Sequence, residues 1–166
     1  MAALRRRTRL PAEIRSEIGL PRDEPVLAAA PCSGGWAVAT RSRLVVSGGV
    51  LEHPWHEVDG ARLDPETRTL TITWVDGSPK AEVVLEEEGA QRFVRVLHER
   101  VQASVVHREQ VSLPRGATVR VALRRGADGG LLTQVIGDGR VDLSDPATAA
   151  AVDAAEARVR EAAGLH

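Results

Sequence analysis

The sequence predicts an α+β fold, on three observations. Six short β-type runs separated by turn residues crowd into about sixty residues after Val26, near the spacing of an antiparallel meander. The apolar period then lengthens from two residues to about four, which marks an amphipathic helix. Beyond it lie two further β-type runs and an alanine-rich helical segment.

Residues 1–25 are polar and mixed in charge, and Pro11-Ala12-Glu13-Ile14 opens a short helix that Gly19 and Pro21 end. The six runs are VLAAAP, GWAVAT, RLVVSG, WHEVDGARL, TLTITWV and AEVVLE. TLTITWV shows the strictest alternation. Leu70, Ile72 and Trp74 fall on one face and Thr69, Thr71 and Thr73 on the other, as in a half-buried strand. Asp64-Pro65-Glu66-Thr67 before it has type I turn chemistry, and Asp76-Gly77 after it reads as another turn.

The helix is expected over residues 89–107, with Phe93, Leu97, Val101 and Val105 on its apolar face and Val94 and Val96 at the margins. Glu86, Glu87 and Glu88 at its start and His107-Arg108 at its end suit the helix dipole. ATVRVALRR and GGLLTQVIGDG then form a hairpin around GADGG. Asp145 as N-cap and Pro146 at the first turn begin the last helix, Glu156 and Arg160 make an i,i+4 pair, and Gly164 suits the stop. Val152, Ala155 and Val159 form a narrow apolar stripe, and Val119, Val121 and Leu123 alternate with polar positions. These faces need cover, and the preceding domain is the nearest candidate.

A chain of 166 residues with 43 % hydrophobic residues can bury a real core. Its formal net charge is −1, from 22 basic and 23 acidic side chains, which argues against a polyanion partner. Aromatics make up only 2 % and tyrosine is absent, so platforms for base stacking are scarce; no nucleic-acid partner is expected. Lys80 is the only lysine, and the abundance of Arg, Ala, Gly and Val reads as a high-GC bacterial coding bias. The single cysteine, Cys32, excludes an internal disulfide and sits among small residues as buried filler. No apolar run approaches the ~20 residues that span a bilayer, and MAALRRRTRLPAEI lacks the apolar core of a secretory signal. A cytoplasmic protein is the expectation.

WAVATRSRLVV, HPWHEVDGARLD and FVRVLHERVQASVV, in that order, resemble the bacterial branch of the pleckstrin-homology-like (PH-like) superfamily. LHERVQASVV, VRVALRR and LSDPATAAAVDAAEARVREAAGL further resemble an uncharacterised actinobacterial family, which implies no particular activity. The PH-like resemblance implies a curled antiparallel sheet or half-open barrel over about 26–88, capped by the 89–107 helix and followed by the hairpin and C-terminal helix. The division is then 1–25, a polar segment; 26–110, the PH-like domain; and 111–166, hairpin and helix packed on the same unit. Seven strands are expected before the capping helix of such a fold, and six are visible. Either WHEVDGARLD conceals a break near Gly60 or the hairpin at 118–137 supplies the missing pairing.

HPWHEV holds two histidines, His53 and His56, with Glu57 beside them. On a strand an odd separation sends them to opposite faces, with Cα atoms ~10 Å apart. Shared zinc ligation would need a bulge and two more ligands, so the stretch is read as strand, packed through Trp55 and Val58. No GxSxG, Walker, HExxH or dinucleotide motif occurs, and the glycine clusters SGG, ADGG and GDG fall at hairpins. No catalytic, cofactor or metal site is therefore expected.

PH-like domains are usually binding modules, so the resemblance implies a non-enzymatic scaffold acting by protein–protein contact, through sheet edges and the hairpin, with a partner protein or a second copy. One alternative is peripheral association with anionic membrane through Arg5, Arg6, Arg7 and Arg9; each basic residue adds about 1 kcal/mol there, a weak and salt-sensitive attraction. Another is a small ligand in the barrel mouth. The first hairpin loop, PCSGGW, where eukaryotic relatives place basic residues for phosphoinositides, has no Lys or Arg; Arg41 and Arg43 fall at the next hairpin.

Overall fold

The computed structural model describes residues 9–48, 51–137, 139 and 141–165. Among the described residues it is an α+β structure of three antiparallel sheets and three α-helices, without a closed barrel. The first sheet has the order β1 (Val26–Cys32), β2 (Gly35–Thr40), β3 (Arg43–Val46), β4 (Leu51–Pro54). The second has the order β5 (Val58–Leu63), β6 (Thr69–Trp74), β7 (Ala81–Val84). Helix α2, Ala90–Ser104, follows them, and together they enclose one core. The Thr face and the apolar face of β6 separate as its alternation dictates, with Leu70 and Ile72 fully buried.

Seven strands thus precede α2. The one hidden in the sequence is β4, LEHP, and the segment WHEVDGARLD is not one strand. A one-turn 3₁₀ helix, Trp55–Glu57, interrupts it between β4 and β5. The break comes before Gly60, where there is only a shift of register in the β5–β6 pairing. β4 is an edge strand ending in Pro54, a residue that cannot donate to a ladder and so belongs at an edge. At the opposite corner the first two sheets are joined, since Ser33 N–H donates to the Val84 carbonyl (2.9 Å) and Glu86 N–H to that of Pro31 (2.9 Å). Glycine is needed at the neighbouring hairpin turns: Gly48 has φ +75°, and a Cβ there would lie 2.1 Å from the Gly34 carbonyl oxygen.

The polar N-terminal segment has a structural task. Helix α1, Ala12–Glu17, forms where Pro11 predicts it, and Leu10 and Ile18 pack on Ala29, Val38 and Val45, the outer face of the first sheet. Cys32 is buried, and burial pushes its thiol pKa up, with Glu86 adding a smaller effect.

Helix α2 ends three residues earlier than the periodicity predicts. Val105, Val106 and His107 instead open β8 (Val105–Ser112): Val105 pairs with Arg124 and His107 with Leu123, Val106 lies at the register shift between them, and two consecutive β-branched residues favour a strand over another helical turn. The C-terminal hairpin is consequently a three-stranded sheet, β10 (Leu131–Ile136), β9 (Thr118–Arg125), β8. Helix α3, Pro146–Ala162, covers it: Val152, Ala155 and Val159 meet Val119, Val121 and Leu123 in a core of their own. The apolar face of β9 is therefore covered by α3 and not by the preceding strands. Arg158 of α3 grips Glu109 of β8, with Nε 3.0 Å from Oε1, while the Glu156–Arg160 pair is absent among the ion pairs of the described residues.

Asp145 caps α3 as expected, accepting from Thr148 N (2.9 Å) and Thr148 Oγ1 (2.8 Å). These bonds hold the Asp145 carboxyl below the usual carboxylate range, and the bond from Arg158 does the same for Glu109. Both pKa values are lowered by folding, so their stabilisation is present at neutral pH and lost as pH falls through the depressed values. Acidification from neutrality to about pH 3 should therefore loosen α3 against β8. Amide exchange in α3 that is as slow at that pH as at neutrality, after correction for intrinsic rates, would contradict this.

Candidate functional site

The histidines of HPWHEV lie apart. His53, on β4, stacks its ring on Trp74 with centroids 4.1 Å apart, and its Nδ1 lies 2.8 Å from Glu57 Oε2. His56 sits in the 3₁₀ turn with its Nδ1 buried and without a hydrogen-bond partner. Among the described residues no three His, Cys, Asp or Glu side chains gather into a metal-binding group.

The turn acts through its backbone carbonyls. Those of Trp55 and Val58 accept from Arg124 (2.8 and 2.9 Å), and that of His56 accepts from Gln134 Nε2 (2.7 Å). Arg124 lies on β9 and is 2 % exposed. Its Nε and Nη2 also meet Ser104 Oγ, at 3.1 and 2.5 Å, at the last residue of α2. Beside it, Arg120 holds Asp59 through two bonds of 3.0 and 2.8 Å. Burial pulls the pKa of Arg124 down, Asp59 opposes this and Arg120 adds to it; a guanidinium nonetheless stays charged in a protein. Arg124 thus satisfies its charge with neutral oxygens, the ends of a planar fork matched to three fixed acceptors.

The Arg124 end of the polar side of β9 therefore packs on the 3₁₀ turn and β5, while Thr118 and Arg120 stay exposed. Alternation in VRVALRR identifies the two faces but not which of them is covered. Ala122, 4 % exposed between Arg120 and Arg124, is the small residue on the polar face that permits this close approach.

A second feature lies on the other side of β5. This strand is the outer one of the second sheet, and a groove of about 540 Å³ runs between its Leu63 and helix α2. Leu63 and Val94 give an apolar floor, and Gln91, Arg95, His98 and Gln102 line it from the helix. Arg124 closes the start of the β5 edge at Val58; from Gly60 to Leu63 no strand of the described residues pairs with it on that side. His98, which is exposed, puts its Nε2 2.9 Å from the Ala61 carbonyl. The edge thus keeps a backbone acceptor whose one side-chain partner is the exposed His98, a contact that water or another N–H can replace.

Of the four arginines considered for lipid contact, Arg9 is exposed just before α1, whereas Arg5, Arg6 and Arg7 lie outside the described residues. No described helix is long and apolar enough to cross a membrane. Comparison of the chain with protein-family models, with curated proteins and with solved structures finds no match.

Proposed function

We propose that the chain is a non-enzymatic PH-like binding module that takes a partner protein's extended segment along the β5 edge. The observation that carries this reading is the groove between Leu63 and α2, bordered by an edge strand whose Ala61 carbonyl is bonded only by the exposed His98 side chain. An edge offers main-chain hydrogen bonds to any sequence, and an adjoining apolar pocket selects alternate side chains of the added strand. Seven strands in two sheets followed by one helix support the PH-like part of the reading. The apolar floor favours a peptide with a medium-sized aliphatic residue there, and the Arg95–Glu99 pair (3.9 Å) at the rim suits polar flanks.

The test is selection of binders from a displayed library of linear peptides, followed by calorimetry on the wild type and on Leu63→Glu. Placing a carboxylate on the apolar floor should weaken binding at least tenfold, about 1.4 kcal/mol, measured at a temperature where the variant is fully folded because Leu63 also packs against the core. Amide shifts on binding should concentrate in β5 and α2. Peptides that bind the variant equally well, or that shift only other elements, would sink the proposal.

A further inference from the structure

A separate cleft, independent of the peptide groove, lies where four elements converge: the β2–β3 turn, the 3₁₀ turn, the end of α2 and the β9–β10 turn. Its volume is about 280 Å³, and its lining includes Arg41, Arg100 and Arg125, one from each of three elements, with Ser42, Trp55 and His56. That size suits the phosphate end of a small molecule better than a large cofactor.

We infer that this cleft is a binding site for a phosphomonoester group, gathered by Arg41, Arg100 and Arg125. Among the described residues, Arg43, Arg95, Arg120 and Arg158 each have a carboxylate within 4.0 Å, whereas the three arginines of the cleft have none. Arg125 makes only a long contact, 3.5 Å, to the Gly129 carbonyl. Directly behind the wall, Arg124 is bonded to Ser104 Oγ and adds a fourth positive charge that neutral oxygens alone satisfy. Two carboxylates stand nearby, one of them bonded to a lining residue. Glu24 accepts from Ser42 Oγ (2.8 Å), and Asp128 accepts from Gly130 N (2.9 Å). The negative end of the α2 dipole also opposes an anion here, but it amounts to about half a charge. The balance is positive. His56 borders the cleft with a buried Nδ1 that has no hydrogen-bond partner in the chain.

The chemistry of the group follows from the number and spread of the cations. A carboxylate presents two oxygens and is satisfied by one guanidinium fork. Three forks from separate elements match an anion with three outward oxygens and a charge of about −1.5 to −2 at neutral pH, which is a phosphomonoester. Such a group belongs either to a soluble metabolite or to a lipid headgroup, and the two sources are separable.

The experiment titrates the full chain with inorganic phosphate and with glycerol phosphate at constant ionic strength, read by calorimetry and by the fluorescence of Trp55 at the cleft wall. Vesicles containing phosphatidic acid, which exposes a phosphomonoester, and vesicles containing phosphatidylserine, which does not, form the second arm. Saturable binding of the soluble probes is expected, weakened at least tenfold in Arg41→Gln, Arg100→Gln and Arg125→Gln at unchanged melting temperature. Arg62→Gln removes the same charge from an exposed position of β5 and should bind as the wild type does. Binding of soluble probes alone supports a free metabolite; additional binding to phosphatidic acid over phosphatidylserine supports a headgroup. Absence of saturable binding to every probe, equal binding by the three variants, or equal adsorption to both kinds of vesicle overturns the site. Should Arg100→Gln, which is half-buried, lower the melting temperature, the two exposed positions Arg41 and Arg125 decide the matter.

Discussion

Replacement of Arg124 by alanine should destabilise the protein by about 3–5 kcal/mol, the cost of leaving buried carbonyls without donors beside a new cavity. The carbonyls of Trp55 and Val58 lie in a dry seam, where Trp55 is 5 % and Val58 0 % exposed, and each has Arg124 as its side-chain donor. Removing the guanidinium also abolishes an expensive desolvated charge, which offsets part of the loss. Arg124→Met separates these contributions. It restores much of the lost volume but no donor, so it should cost less than alanine and more than nothing. Arg124→Lys keeps the charge, yet a single ammonium cannot reach three acceptors held in a fork geometry, and it too should fall short of the wild type. Urea unfolding of the three variants checks the order. A loss below about 1 kcal/mol for alanine would mean that water enters and satisfies the carbonyls.

Truncation after Val111 should have a larger consequence still. β8 would lose β9, its ladder partner, and the carbonyls of the 3₁₀ turn would lose both Arg124 and Gln134. What remains would carry an unpaired strand, an uncovered seam and the exposed Val105–Val106 pair, a combination that promotes strand-to-strand association. The expected outcome is aggregation or a melting transition that is broad and much lower. A fragment 1–111 that stays monomeric with the melting temperature of the full chain would show that the C-terminal elements contribute nothing to the rest. Excising α3 alone is a milder version. It uncovers Val119, Val121 and Leu123, whose partners on α3 are Val152, Ala155 and Val159.

Local periodicity made much of this structure legible. β6 and α2 were evident because each buries one face against a single core, so their polar and apolar positions separate cleanly. The cap Asp145 and the stripe on α3 were evident for the same reason. β4 was not, because an edge strand of four residues with Glu, His and Pro lacks the apolar alternation of a covered strand. β8 was hidden by a coincidence of spacing: Val101 and Val105 continue the helical stripe although the second already lies in a strand. The seam was hidden for a deeper reason. Its acceptors are main-chain carbonyls, which every residue possesses, and its donor is an arginine whose burial depends on how two sheets meet. HPWHEV drew attention through its imidazoles and works through its backbone. The arginine cleft is likewise assembled from positions 41, 100 and 125, which only the fold brings together.

With Arg124 and its carbonyl partners fastening the third sheet to the 3₁₀ turn and β5, the chain should fold as one cooperative unit. The three tryptophans, Trp36, Trp55 and Trp74, all precede α2; Trp36 on β2 and Trp74 on β6 report on the first two sheets, and Trp55 reports on their border with the third. Amide exchange in β9 reports on the third. Following both along one urea titration is the most direct test, since coincident transitions mark a single unit. Superimposable curves with a shared midpoint are expected in the wild type, and separated curves in Arg124→Ala. Loss of protection in β9 at a lower urea concentration than the fluorescence change, in the wild type itself, would contradict the account.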